Sequence, residues 1–137
     1  MTPENRRVNI AAEWDLSEEA WATAEDLRQL DRRRGAISQY YFAVFHAALA
    51  GLISRDVQPK THTGVKTEFS RIFVSSGVLN PSIGRLLRRR EDEREEADYV
   101  AGLVFTKDDV EEARDEAGAF REAVRELLTG ERWLEGK

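Results

Sequence analysis

The chain has 137 residues, 34% charged and 41% hydrophobic, with 26 acidic side chains against 21 basic ones and a formal net charge of −5. That length suits one domain with one proper core, and the charge excludes a molecule that attracts phosphate backbones over its whole surface, so any nucleic-acid site must be a local basic patch. The absence of cysteine excludes disulfides, thiolate zinc sites and a cysteine nucleophile.

Ala, Leu, Glu and Arg dominate the composition, which favours helix throughout. The opening stretch MTPENRRVNIAAEW lacks the apolar core of a signal peptide. The most apolar run, residues 40–53, contains His46 and is too short to span a bilayer. The expectation is a cytoplasmic protein with no membrane association. Thr2 and Pro3 read as the cap and first turn of a long helix. Its apolar residues Ile10, Trp14, Trp21, Ala24 and Leu27 recur as far as Arg34, with Gly35 as the break and Asp15-Leu16-Ser17 as a candidate kink.

A second helix over 36–54 is apolar all round. Ile37, Tyr41, Val44, Phe45, Ala48 and Leu52 form one stripe, and Tyr40, Ala43, Ala47 and Ala50 another, so it should be central and buried. After the loop RDVQPKTHTG, a third helix turns Val65, Phe69, Ile72 and Phe73 inward and stops near Gly77. Asn80 and Pro81 open a fourth, whose stripe of Ile83 and Leu87 continues to Arg90, Arg94, Ala97 and Ala101. Two arginines therefore face the bundle. Thr106 and Asp109 form a capping-box-like start for the last helix, whose stripe is Val110, Ala113, Ala117, Phe120, Val124 and Leu127, with Gly130 at its end. The fold class is all-α: an antiparallel up-and-down bundle of four to five helices in a single domain over 1–137, with its core at about 8–128 and a C-terminal tail over 129–137.

Three stretches, SQYYFAVFHAALAGL at 38–52, PKTHTGVKTEFSRIFVSSGVL at 59–79 and LLRRREDEREEADY at 86–99, resemble in order and spacing the HEPN domain, in the branch long filed as an uncharacterised family of small bacterial and archaeal proteins. The resemblance implies an all-α bundle, a homodimer, and a minimal nucleotidyltransferase as an antitoxin-like partner. Many such domains are metal-independent ribonucleases acting as toxins or defence effectors, and others bind RNA or nucleotides without cutting. The active signature is an arginine followed after four to six residues by a histidine. Here Arg94 is followed by Glu95, Glu96, Ala97, Asp98 and Tyr99, so the arginine is kept and the histidine is not. Arg55 and His62 satisfy the spacing formally, but across a loop.

The candidate catalytic residues are thus Arg94, Asp98 and Tyr99, and the candidate nucleotide- or RNA-binding residues are Arg90, Lys60, His62 and Tyr41. Arg94 would stabilise charge on a phosphate, while Asp98, Tyr99 or His62 would handle protons. Each has a plainer reading. Arg94 and Asp98 are one helical turn apart and can be an ion pair, Tyr41 can be packing, and His62 can cap a helix. His46, inside the apolar helix, reads as a hydrogen-bonded core residue. The run Arg85, Arg88, Arg89 and Arg90, followed by Glu91, Asp92 and Glu93, reads as a solvated, self-compensated face. No acid falls at metal-ligand spacing with either histidine, so neither metal nor cofactor is expected. The alternative to an RNA- or nucleotide-associated protein is a non-catalytic helical interaction or adaptor module.

Overall fold

The computed structural model describes residues 1–135. Five α-helices follow one another: α1 (Pro3–Gln29), α2 (Arg33–Ile53), α3 (His62–Phe69), α4 (Pro81–Tyr99) and α5 (Lys107–Gly130), with a π-helical turn over Ser70–Val74 extending α3. Among the described residues there is no strand, and the fold is an all-α helical bundle. As the sequence demands, α2 is the central element, packed by α1, α4 and α5. By length and composition α2 could cross a membrane, but 67% of its apolar window is buried inside the bundle, as in the core helix of a globular domain. The core itself comprises Ile10, Ile37, Tyr40, Val44, Leu52, Phe69, Phe73, Phe120, Val124 and Leu128, with small Ala47, Ala48, Ala113 and Ala117 allowing close helix approach. The α5 stripe ends on Leu128 instead of Leu127, which is only partly buried.

The caps follow their side chains. Thr2 accepts from the Asn5 N–H, Asn80 from Ser82, and Thr106 and Asp109 satisfy each other's backbone in a complete capping box. Gly77 adopts φ +82. The α1–α2 boundary, however, lies before the expected glycine. The chain turns at Leu30-Asp31-Arg32, with Asp31 at φ 58, and Gly35 sits inside α2. Asp31 tolerates the left-handed conformation and receives the Arg33 guanidinium. Gly35 serves a different end: a Cβ there would come within 3.0 Å of a Leu27 methyl, so its lack of a side chain lets α1 and α2 close at their corner.

Residues 15–17, the candidate kink, do not interrupt α1, which runs unbroken from Pro3 to Gln29. Ser17 is fully buried and spends its hydroxyl between helices: Oγ donates to the Ala43 carbonyl at 2.6 Å and accepts from Arg121 Nε at 2.9 Å. It therefore does not compete with the helix's own hydrogen bonds. The tail over 129–137 lies partly outside the described residues. Its described part packs back on the bundle through Trp133 and Leu134, with Arg6 and Arg7 over the Trp133 ring at 5.4 and 5.3 Å.

Candidate functional site

The two inward arginines of α4 have different surroundings. Arg90 is 1% exposed, and its guanidinium is held on two sides, by Glu116 of α5 at 3.0 Å and Glu93 at 2.7 Å. This is a structural tie between α4 and α5. Burial pushes the Glu93 carboxyl above its usual range, and Arg90 opposes that rise. Arg94, 7% exposed, instead lies over aromatic rings, its Cζ 5.1 Å from the Tyr41 centroid, 5.9 Å from Phe42 and 5.8 Å from Tyr99. Among the described residues its one ionic contact is Asp98 at 3.6 Å, and its buried Nε has no hydrogen-bond partner. A buried guanidinium with an unused donor is the arrangement that an incoming anion completes.

Tyr41 connects this arginine to the loop histidine. The Tyr41 hydroxyl lies 2.5 Å from His62 Nδ1, and the His62 ring stacks on Phe45 at 4.5 Å. Burial, reinforced by the Glu91 carboxylate, pushes the Tyr41 phenol well above its ordinary range, with Arg94 opposing. The phenol therefore keeps its proton, and which partner donates in this bond follows the imidazole tautomer: where Nδ1 accepts, the ring N–H is on Nε2. Thr61, not His62, is the α3 cap, accepting from the Gly64 N–H at 2.9 Å, so the imidazole is free of that duty.

The remaining candidates divide around this cluster. Asp98 joins it, accepting from Ser38 Oγ at 3.4 Å as well as pairing with Arg94. Tyr99 is 76% exposed at the end of α4, its ring at the rim. Lys60 is exposed in the loop before α3. Arg55 takes no part, since it binds Glu131 at 2.9 Å and lies over Phe73. Phe45 is only partly buried, because the central helix turns its Phe42–Phe45–Leu49 edge outward between α1 and α3. His46 is half-buried and bonded through Nδ1 to Glu13 Oε2 at 2.7 Å. Ala101 is exposed, since α4 ends at Tyr99.

Two features escape a reading of periodicity alone. The first is Glu91, taken as part of a solvated run but 4% exposed beside Tyr41, with Lys66 of α3 at 3.3 Å. Position 91 adjoins the inward stripe, and only the tertiary partner Lys66 reveals that the carboxylate is sheltered. The second is Arg34, which donates to the carbonyls of Ala97 at 2.7 Å and Val100 at 2.8 Å, and also to Leu103. It neutralises the carbonyl end of α4 and fixes the turn that carries Asp98 and Tyr99. Among the described residues no three His, Cys, Asp or Glu side chains gather where they could hold a metal ion.

Residues 12–127 match the family described as the HEPN domain. The chain belongs to the HEPN family. Among its relatives, a Methanocaldococcus jannaschii protein bearing the name "Putative toxin MJ0605" is 30% identical over 122 residues, spanning 89% of this chain and 90% of its own length. A Thermotoga maritima protein named "UPF0332 protein" is 26% identical over 125 residues, spanning 90% of this chain and 95% of its own. The HEPN region thus contains the whole Tyr41–His62–Arg94–Asp98 cluster and both helices that build its base.

Proposed function

We propose that this HEPN protein is toxin-like, binds RNA or a nucleotide phosphate at the Arg94–Tyr41–His62 cluster, and forms one half of a two-gene toxin–antitoxin or defence module in the cytoplasm with a minimal nucleotidyltransferase as partner. The observation that carries the site is the Arg94 Nε, buried and without a hydrogen-bond partner. The module reading is supported by the family and by the name of the M. jannaschii relative. Binding, more than cleavage, is the activity these residues favour. Asp98 stands near the place where active relatives carry histidine, and an aspartate is a weaker proton carrier at neutral pH. Were cleavage to occur, a 2′-hydroxyl would pass its proton to Asp98 and attack the adjacent phosphorus, Arg94 would stabilise the phosphorane charge, and the P–O5′ bond would break to leave a 2′,3′-cyclic phosphate, with His62 protonating the departing 5′-oxygen.

A homodimer is part of this proposal. We place its surface at the α4 end, where Tyr99, Val100, Leu103 and Val104 are exposed, since α2 leaves only its Phe42–Phe45–Leu49 edge partly uncovered. The same patch, beside Asp92, Glu95 and Glu96, favours the second reading, an adaptor module that docks another protein there.

Anisotropy with labelled single-stranded RNA at low and moderate salt tests the choice. The expected results are salt-dependent binding, a roughly tenfold weaker affinity in His62→Ala, no cleavage products on a gel, and a light-scattering mass twice that of the 15.7 kDa chain. Absence of RNA and nucleotide binding would sink the first reading and leave the adaptor. A monomer at micromolar concentration would remove the dimer.

A further inference from the structure

Phe42 has two sides. On one, the Arg94 Cζ lies over the ring at 5.9 Å from its centroid. The ring also lines a recess of about 190 Å³ between α1 and α2, together with Leu16, Ala20, Thr23, Glu19, Gln39 and His46. Leu16 and Ala20 supply its apolar lining, Phe42 its one aromatic wall, and Glu19, Thr23, Gln39 and His46 its four hydrogen-bonding side chains; Phe42 is shared with the arginine cluster.

Its polar groups are specific. Glu13 holds His46 Nδ1 at 2.7 Å, which fixes the ring and leaves Nε2 as its other polar atom. Gln39 brings an amide carbonyl and an NH₂, the side chain suited to bidentate contact with a base edge. Glu19 stands exposed at the mouth as an acceptor. A phosphate would be repelled by Glu13 and Glu19, but a neutral planar heterocycle with an exocyclic amine would find a stacking face and acceptors for its N–H groups. We infer that the α1–α2 recess is a nucleobase subsite for a ligand whose phosphate sits at Arg94, with Phe42 as stacking wall, Gln39 and His46 contacting the base edge, and Glu19 favouring amine-bearing bases over uracil. The inference rests on the nucleotide reading of the Arg94 cluster, and it adds a place for the base and a rule for which base is taken. A mononucleotide and an RNA strand share this chemistry.

The test uses the full chain, with Gln39→Ala as the decisive variant because Gln39 touches the recess without being part of the Arg94 cluster, and Phe42→Ala as its companion. Binding of short labelled oligocytidylate and oligouridylate, and of unlabelled cytidine monophosphate as competitor, is measured alongside the melting temperature. The expected result is tighter binding of oligocytidylate than oligouridylate, and roughly 5- to 150-fold weaker oligocytidylate binding in each variant, with the Gln39→Ala melting point unchanged and the base preference gone. Competition by the mononucleotide would identify a free nucleotide as sufficient, and its failure would identify the strand. If Gln39→Ala binds both oligomers as the wild type does while Arg94→Ala binds neither, the base subsite is wrong and the phosphate site stands. Loss in Phe42→Ala alone also overturns the subsite, since Phe42 supports Arg94 as well. If no oligomer or nucleotide binds the wild type, both readings fall.

Discussion

Arg90→Ala is expected to destabilise the protein by about 3–5 kcal/mol, although the residue is one turn from a site at which arginine loss should barely affect stability. The difference lies in the partners. Arg90 neutralises Glu93 and Glu116 by direct hydrogen bonds within the α4–α5 seam, and its removal leaves two sheltered carboxylates facing each other's charge. Glu116 retains Arg89 at 2.8 Å, and Glu93, already pushed toward protonation by burial, can neutralise itself by taking up a proton. The loss should therefore fall toward the lower end of that range. Thermal denaturation should show a melting point lower by roughly 10 °C or more. The combination Arg90→Met with Glu93→Gln should recover much of it, because a buried ion pair replaced as a unit costs little. A change under about 1 kcal/mol in the single variant would mean that Arg90 is solvated and the seam is drawn wrongly.

A loss of similar size is expected from Phe120→Ala, by a different mechanism. Phe120 is fully buried on α5, and its ring meets Phe69 at 5.2 Å. Truncation leaves a cavity where α2, α3 and α5 converge, at a cost of about 3–5 kcal/mol. For a domain of this size that is a large part of total stability. Urea titration should show the midpoint fall with an unchanged slope. Phe45→Ala should cost clearly less, since that ring is only partly buried at the edge of the core and stacks on His62. Equal losses at the two positions would contradict the outward turn of α2's Phe42–Phe45 edge.

The contrast between Phe45 and Phe120 shows how far helical periodicity reaches. The α5 stripe has a polar opposite face, so its inward residues could be named singly, with an error only at Leu127 against Leu128. On α2 every face is apolar, and periodicity could not say which edge the neighbours leave uncovered. The caps at Thr2, Asn80 and Thr106 were legible because their side-chain chemistry is local. The α1–α2 corner was not, because Asp31 turns the chain in place of a glycine, and Gly35 serves the close approach of Leu27. For the site, the stripe through Arg90 and Arg94 put both guanidiniums inside correctly, but the partners that set them apart, Glu116 and Tyr41, come from other helices. Nothing in the spacing of α4 distinguishes an arginine saturated by Glu116 from one resting on Tyr41. The bond between Tyr41 and His62 spans 21 positions and becomes visible only when α3 is folded against α2.

The central claim, that Arg94 is kept for an anion and not for stability, is tested most directly by measuring RNA binding and melting temperature together for Arg94→Ala, Asp98→Ala and the double variant. Asp98 is partly solvated and has only a 3.6 Å contact with Arg94, so removing the arginine strands little charge. Arg94→Ala is expected to abolish RNA and nucleotide binding with the melting point within a few degrees of the wild type, and adding Asp98→Ala should restore nothing. Retained binding, together with a loss of about 3–5 kcal/mol that the Asp98→Ala change repairs, would make Arg94 half of a structural pair and contradict the account.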